Sequence, residues 1–262
     1  MPAQSNRAFA LFVVLLLALS VPLWIVGTTV HGFLPKSIPI ALPFGALMTF
    51  APALAACVLV FAKGGWRGVG ALLARTFDAR RIRSAGWLAA AILGMPLVLV
   101  AAFFLMRRAG IAMPDAHVAV TMAPLLFAMF FVGAAGEELG WQGFAFEVLE
   151  KRFCVFESAL ILGAVWAAWH VIPYFQAGHD WQWVAWQCIV TIFLRVVIVW
   201  LYAYGGRSVF AAIVFHAMTN VAMFLFPNFG TYYDPATVAV VLAGATAIMA
   251  AVWGPVMLRE RV

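Results

Sequence analysis

The sequence predicts an all-α fold, a polytopic membrane helix bundle of about eight transmembrane helices. Three observations carry that expectation. Of the 262 residues, 66% are hydrophobic and 10% are charged, with a mean hydropathy of +1.03; soluble globular domains run near 45–50% apolar and about 25% charged. Eight apolar segments each approach the ~20 residues that a bilayer crossing needs. The basic residues collect between alternate segments, as topology signals do.

The segments run Phe9–Val30, Ile38–Ala62, Trp87–Met106, Val118–Leu149, Phe156–Ile172, Trp183–Tyr204, Val209–Phe226 and Pro235–Leu258. Arg7 followed by an apolar run resembles a signal peptide, with Ala18–Ser20 as a cleavage site. The run continues to Val30, too long for a signal core, so it reads as an uncleaved first span. The longest connection, Lys63 to Gly86, mixes Trp66, Leu72, Leu73, Phe77 and Ile82 with Lys63, Arg67, Arg75, Arg80, Arg81 and Arg83. It reads either as a helix lying on an anionic membrane surface or as a plain basic loop. The fourth segment is long enough to tilt or project beyond the bilayer. No hydrophilic stretch is long enough to fold alone, so residues 1–262 form a single integral membrane domain.

Alternating the spans places Arg7, the six basic residues of the long connection, Lys151, Arg152, Arg207, Arg259 and Arg261 on one side. Lys36, Arg107 and Arg108 fall on the other, and Arg195 lies within a span. Twelve against three predicts that both termini are cytoplasmic in a cell-membrane protein. The net charge of +6 therefore sets topology, and nucleic acid is not an expected partner. Cys57, Cys154 and Cys188 are scattered, without CxxC spacing, and read as small core residues.

Polar residues inside the spans point to a reaction chamber, because a charge at membrane depth costs roughly 2.5–3.5 kcal/mol even on insertion scales. The fourth segment holds Gly136-Glu137-Glu138-Leu139-Gly140-Trp141-Gln142-Gly143. Adjacent helical side chains diverge by about 100°, so one carboxylate can face a cavity while the other engages a neighbouring helix. Glu138 and Gln142, four apart, are expected on one face, and the glycines allow a second helix to approach. The two carboxylates read alternatively as interhelical structural groups. In the fifth segment Trp166 and His170 share a face, and Pro173 is expected to stop or kink the helix just after. In the seventh, His216 and Asn220 share a face, either as a clamp for a carbonyl oxygen or water, or as interhelical glue. Hydrolysis needs a base for water and donors for an oxyanion; Glu137 with His170 can supply the first, His216 with Asn220 the second. The absence of HExxH excludes the soluble zincin arrangement.

These three motifs resemble the CPBP family of CAAX proteases and bacteriocin-processing enzymes, also called the Abi family. That family is marked by EExxxR, FxxxH and HxxxN or HxxxD on successive membrane helices. Here they read Glu137-Glu138-Leu-Gly-Trp-Gln142, Trp166-Ala-Ala-Trp169-His170 and His216-Ala-Met-Thr-Asn220, in a motif-bearing core of about residues 118–226. The resemblance implies a glutamate-dependent intramembrane endopeptidase of the type II CAAX prenyl endopeptidase kind. It implies Glu137, Glu138, His170, His216 and Asn220 as catalytic residues, and a peptide or lipidated protein as substrate among membrane lipids. Glu137 and His170 would activate water, and His216 and Asn220 would hold the oxyanion. No cofactor is required by this reading; zinc is a candidate metal for the Glu and His set. Two positions depart from the pattern: Gln142 replaces Arg, and Trp166 replaces Phe. Arg195, rare as a charge inside a span, is a candidate for the missing positive group. Two other readings are a non-catalytic immunity or binding protein of the same fold, and a proton-coupled transporter.

Overall fold

The computed structural model describes residues 2–29 and 44–258. Val30, the start of the second expected span at 38–43, and the topology markers Lys36, Arg259 and Arg261 lie outside the described residues. Helix α1 covers Pro2–Gly27. A 3₁₀ turn at Phe44–Phe50 leads into α2, Ala51–Ala74. Helices α3, Ala85–Arg108, and α4, Ala123–Gly140, follow. A π-helical stretch, Trp141–Phe146, joins α4 to the short α5, Glu147–Leu149. Then come α6, Val155–Gln176, α7, Trp181–Gly205, α8, Val209–Leu225, and α9, Pro235–Met257. Among the described residues, seven stretches are long and apolar enough to cross a membrane, and α8 is a shorter apolar helix. This is the expected all-α, multi-pass bundle, and no strand occurs among the described residues.

Local signals set the helix ends. Asp180, Ser208 and Asp234 accept from the backbone N–H groups of Trp183, Ala211 and Thr237 and so cap α7, α8 and α9. Gly206, with φ +114°, ends α7; a Cβ there would lie 1.9 Å from the Arg81 carbonyl oxygen, so only glycine fits. Cys154 is not simply a core residue. Its sulfur accepts from Glu157 N at 3.4 Å while Glu157 accepts from Cys154 N, a capping box opening α6.

Close packing of α2 on α4 positions the site. A Cβ on Gly136 would meet the Thr49 carbonyl oxygen at 2.7 Å, and one on Gly140 would meet the Pro52 carbonyl carbon and oxygen at 2.3 Å. The glycines of the motif thus admit the start of α2, as small residues do between membrane helices.

Three expectations are refined. The connection after Lys63 is helical: α2 continues past a kink at Gly65 (φ 56°) to Ala74, then gives way to 3₁₀ turns at Arg75–Phe77 and Ala79–Arg81. It carries exposed Trp66 and Phe77. Pro173 does not stop α6, which runs on to Gln176. Proline removes one donor from the ladder, and packing keeps the last turn helical around that loss. Gln142 does not partner Glu138, because the π stretch begins at Trp141 and four residues there no longer complete a turn.

The basic connections meet at one end of the bundle. Arg75 pairs with Glu147 at 2.7 Å and donates to the Tyr202 hydroxyl at 2.6 Å. Arg207 pairs with Glu150, Ser208 donates to Asp78 at 2.8 Å, and Arg83 N donates to Gly205 O. Burial pushes the Glu150 carboxyl up, against the opposing pull of Arg207. At the other end, His117 and Asn228 exchange hydrogen bonds and Tyr232 reaches Pro114 O.

Candidate active site

Glu137 and Glu138 sit near the end of α4, 6% and 0% exposed, and their side chains go separate ways. Both oxygens of Glu137 are held. Trp166 Nε1 of α6 donates to Oε2 at 2.8 Å. Thr49 Oγ1, just before α2, lies 3.2 Å from Oε1 and 2.9 Å from Gly133 O, so its single proton is shared between them. Glu137 also lines a cavity of about 560 Å³ with Met48, Phe130, His170, Gln176 and Asn220. That volume lies in the range of small-molecule sites.

Glu138 points instead to α7 and α8. Arg195 clamps it with two hydrogen bonds, Nη1 to Oε2 at 2.7 Å and Nη2 to Oε1 at 3.1 Å. His216 Nδ1 lies 2.8 Å from Oε1. A carboxylate already paired with a guanidinium acts as acceptor here, so the Nδ1 proton of His216 faces it. The charge expected at position 142 therefore comes from α7. The Gln142 amide, fully buried, finds no hydrogen-bond partner among the described residues.

His170 donates from Nδ1 to the Trp166 carbonyl at 2.9 Å; a carbonyl can only accept, so Nε2 is the nitrogen left for proton transfer. A second cavity, of about 160 Å³, adjoins the first. It shares His170 and Asn220 with it and adds Trp166, His216, Tyr174 and Thr191. Helices α4, α6 and α8 thus bring four of the five expected residues, Glu137, His170, His216 and Asn220, to two adjoining cavities, while Glu138 is sealed behind them against Arg195 and His216. His216 and Asn220 both face the smaller one, although His216 spends Nδ1 on Glu138.

Sequence reasoning missed Thr49. Nothing near it in the chain marks it, and only the α2–α4 packing carries it to Glu137. The indole N–H of Trp166 was legible as a residue on the His170 face, but its bond to Glu137 was not. As for zinc, no group of three His, Cys, Asp or Glu side chains is gathered to hold a metal ion among the described residues. Both Glu137 oxygens already accept from protein donors, Thr49 and Trp166. The described side chains do not gather as a ready metal site.

Residues 119–222 match the family described as Type II CAAX prenyl endopeptidase Rce1-like. A CAAX prenyl protease 2 from Methanococcus maripaludis is 29% identical over 107 residues, covering 37% of this chain and 39% of the relative. The chain thus spans well under half the length of that curated relative. The matched stretch takes in α4 to α8 apart from the last turn, and with it every residue of the motif set. Over the helices that build this site, the chain is similar to the type II CAAX prenyl endopeptidases.

Proposed function

We propose that this protein is a glutamate-dependent intramembrane endopeptidase that hydrolyses a peptide bond in a membrane-associated or lipidated substrate. The observation that carries the reading is the convergence of Glu137, His170, His216 and Asn220 on two joined cavities within an apolar bundle. Glu137 takes a proton from water, which His170 Nε2 helps to hold. The water oxygen bonds to the scissile carbonyl carbon, and the carbonyl oxygen becomes an oxyanion. The Asn220 amide and His216 Nε2–H hold it, the latter when both imidazole nitrogens carry protons and Glu138 accepts from Nδ1. The carbon–nitrogen bond then breaks, and the proton taken by Glu137 passes to the leaving amine. The apolar walls of the larger cavity suit an apolar or prenylated chain beside the bond, as the name of the archaeal relative suggests for that protein.

The test uses purified protein with farnesylated and unmodified CAAX-type peptides, read by mass spectrometry. Wild type should release the C-terminal fragment, and Glu137→Gln should do so roughly 100-fold more slowly or worse. No cleavage by wild type, with substrate flux in proteoliposomes instead, would favour the transporter reading. Neither cleavage nor flux would favour a binding protein.

A further inference from the structure

We propose that Trp166 and Arg195 are a positioning pair that holds both glutamates of the site at once, a role that rests on the peptidase reading above. Trp166 uses two parts of one ring. Its N–H donates to Glu137 Oε2 at 2.8 Å. Its face carries the Arg195 guanidinium, whose central carbon lies 4.1 Å from the ring centroid. That guanidinium in turn clamps Glu138 through both Nη atoms, and Glu138 accepts from His216 Nδ1. Both imidazoles pack edge-on to the same indole, with centroids 5.4 Å away for His170 and 5.2 Å for His216. Trp166 is 4% exposed, and Arg195 and Glu138 are fully buried.

One chain of contacts therefore runs from the water-activating carboxylate, through the indole and the guanidinium, to the oxyanion-side histidine. A cation over an aromatic face is held most strongly where water is excluded, as it is here. A two-pronged guanidinium–carboxylate pair fixes orientation as well as charge. The two departures from the family pattern become one rearrangement. With Gln142 unpartnered, the positive charge enters from α7, and an indole gives it a platform while adding a donor to Glu137. A phenyl ring at 166 would keep much of the platform but has no N–H. A lysine at 195 would keep the charge but not the fork.

The test compares wild type, Trp166→Phe, Arg195→Lys and the double variant in detergent, measuring kcat, KM and the thermal unfolding midpoint. Trp166→Phe should lower kcat about 10-fold or more, because Glu137 loses one of its two donors and its aim. KM should stay within about twofold, and the midpoint within a few degrees of wild type. The double variant should be little worse than the poorer single one, since both act through the same contacts. Trp166→Phe with near wild-type kcat, or losses that multiply in the double variant, overturns the proposal. If Arg195→Lys does not fold, the kcat against KM split of Trp166→Phe decides it alone. A wild type that cleaves no peptide refutes the peptidase reading and the positioning role with it. Non-additive midpoints would then uphold the Trp166–Arg195 contact by itself, which separates the two failures.

Discussion

Two neighbouring glutamates in α4 have different work because a helix turns about 100° between them. Glu137 opens onto a cavity with a donor on each oxygen. Glu138 is sealed against Arg195 and His216. Their variants should fail differently. Glu137→Gln, His170→Ala and His216→Ala should each cost roughly 100-fold or more in turnover while the protein remains folded in detergent. Any one of them with near wild-type turnover would remove that residue from the mechanism. Glu138→Ala strands Arg195 as a buried, unpaired cation, which costs about 3–5 kcal/mol. Its melting midpoint should drop well below that of Glu137→Gln, and an unchanged midpoint would mean that the ion pair contributes little. Chelators should leave wild-type turnover unchanged, since the proposed water activation draws on protein groups alone; loss on chelation with recovery on adding zinc would reverse that view.

At the scale of elements, the glycines of α4 decide how near α2 can come. At Gly140 an added Cβ would meet backbone atoms of Pro52 at 2.3 Å. Backbone cannot swing aside like a side-chain end, so Gly140→Ala should destabilise by about 1–3 kcal/mol. Gly64→Ala, with open space around it, should be near neutral by the same thermal measurement. Equal effects would show that helix approach is not set by Gly140. The segment around the Gly65 kink and the 3₁₀ turns that follow α2 exposes Trp66 and Phe77 beside Lys63, Arg67, Arg80 and Arg81. Each basic residue near an anionic leaflet contributes about 1 kcal/mol. Nanodiscs of anionic lipid should therefore raise the melting midpoint above that in zwitterionic lipid. Replacing those four residues with glutamine should remove the difference; if it persists, the segment does not touch the headgroups.

For the whole molecule, the charge asymmetry and the bundle agree. The connections assigned to one side by basic-residue count are tied together through Arg75, Asp78, Glu147, Glu150 and Arg207. The opposite connections meet through His117, Asn228 and Tyr232. A cysteine at position 80 should thus react only from the cytoplasmic side, and one at position 115 only from outside, in a background where the native cysteines are masked. Labelling of both from one side would break the assigned topology, because alternate connections would no longer alternate.

Composition and apolar run length determined that the chain is an all-α, multi-pass bundle, because a bilayer leaves few other ways to satisfy the backbone. The spacing of Glu137, Glu138, His170, His216 and Asn220 determined which residues to examine, because helical periodicity fixes which side chains share a face. Only the tertiary structure decided which glutamate meets which partner. Thr49, Trp166 and Arg195 are 88, 29 and 57 residues from the carboxylates they contact, and no local rule in a sequence ranks contacts across such separations. The π stretch at Trp141–Phe146 belongs to the same class. It breaks the four-residue register that would have placed Gln142 beside Glu138; the charge of Glu138, which a neutral amide could not match in any register, is met by Arg195 from α7.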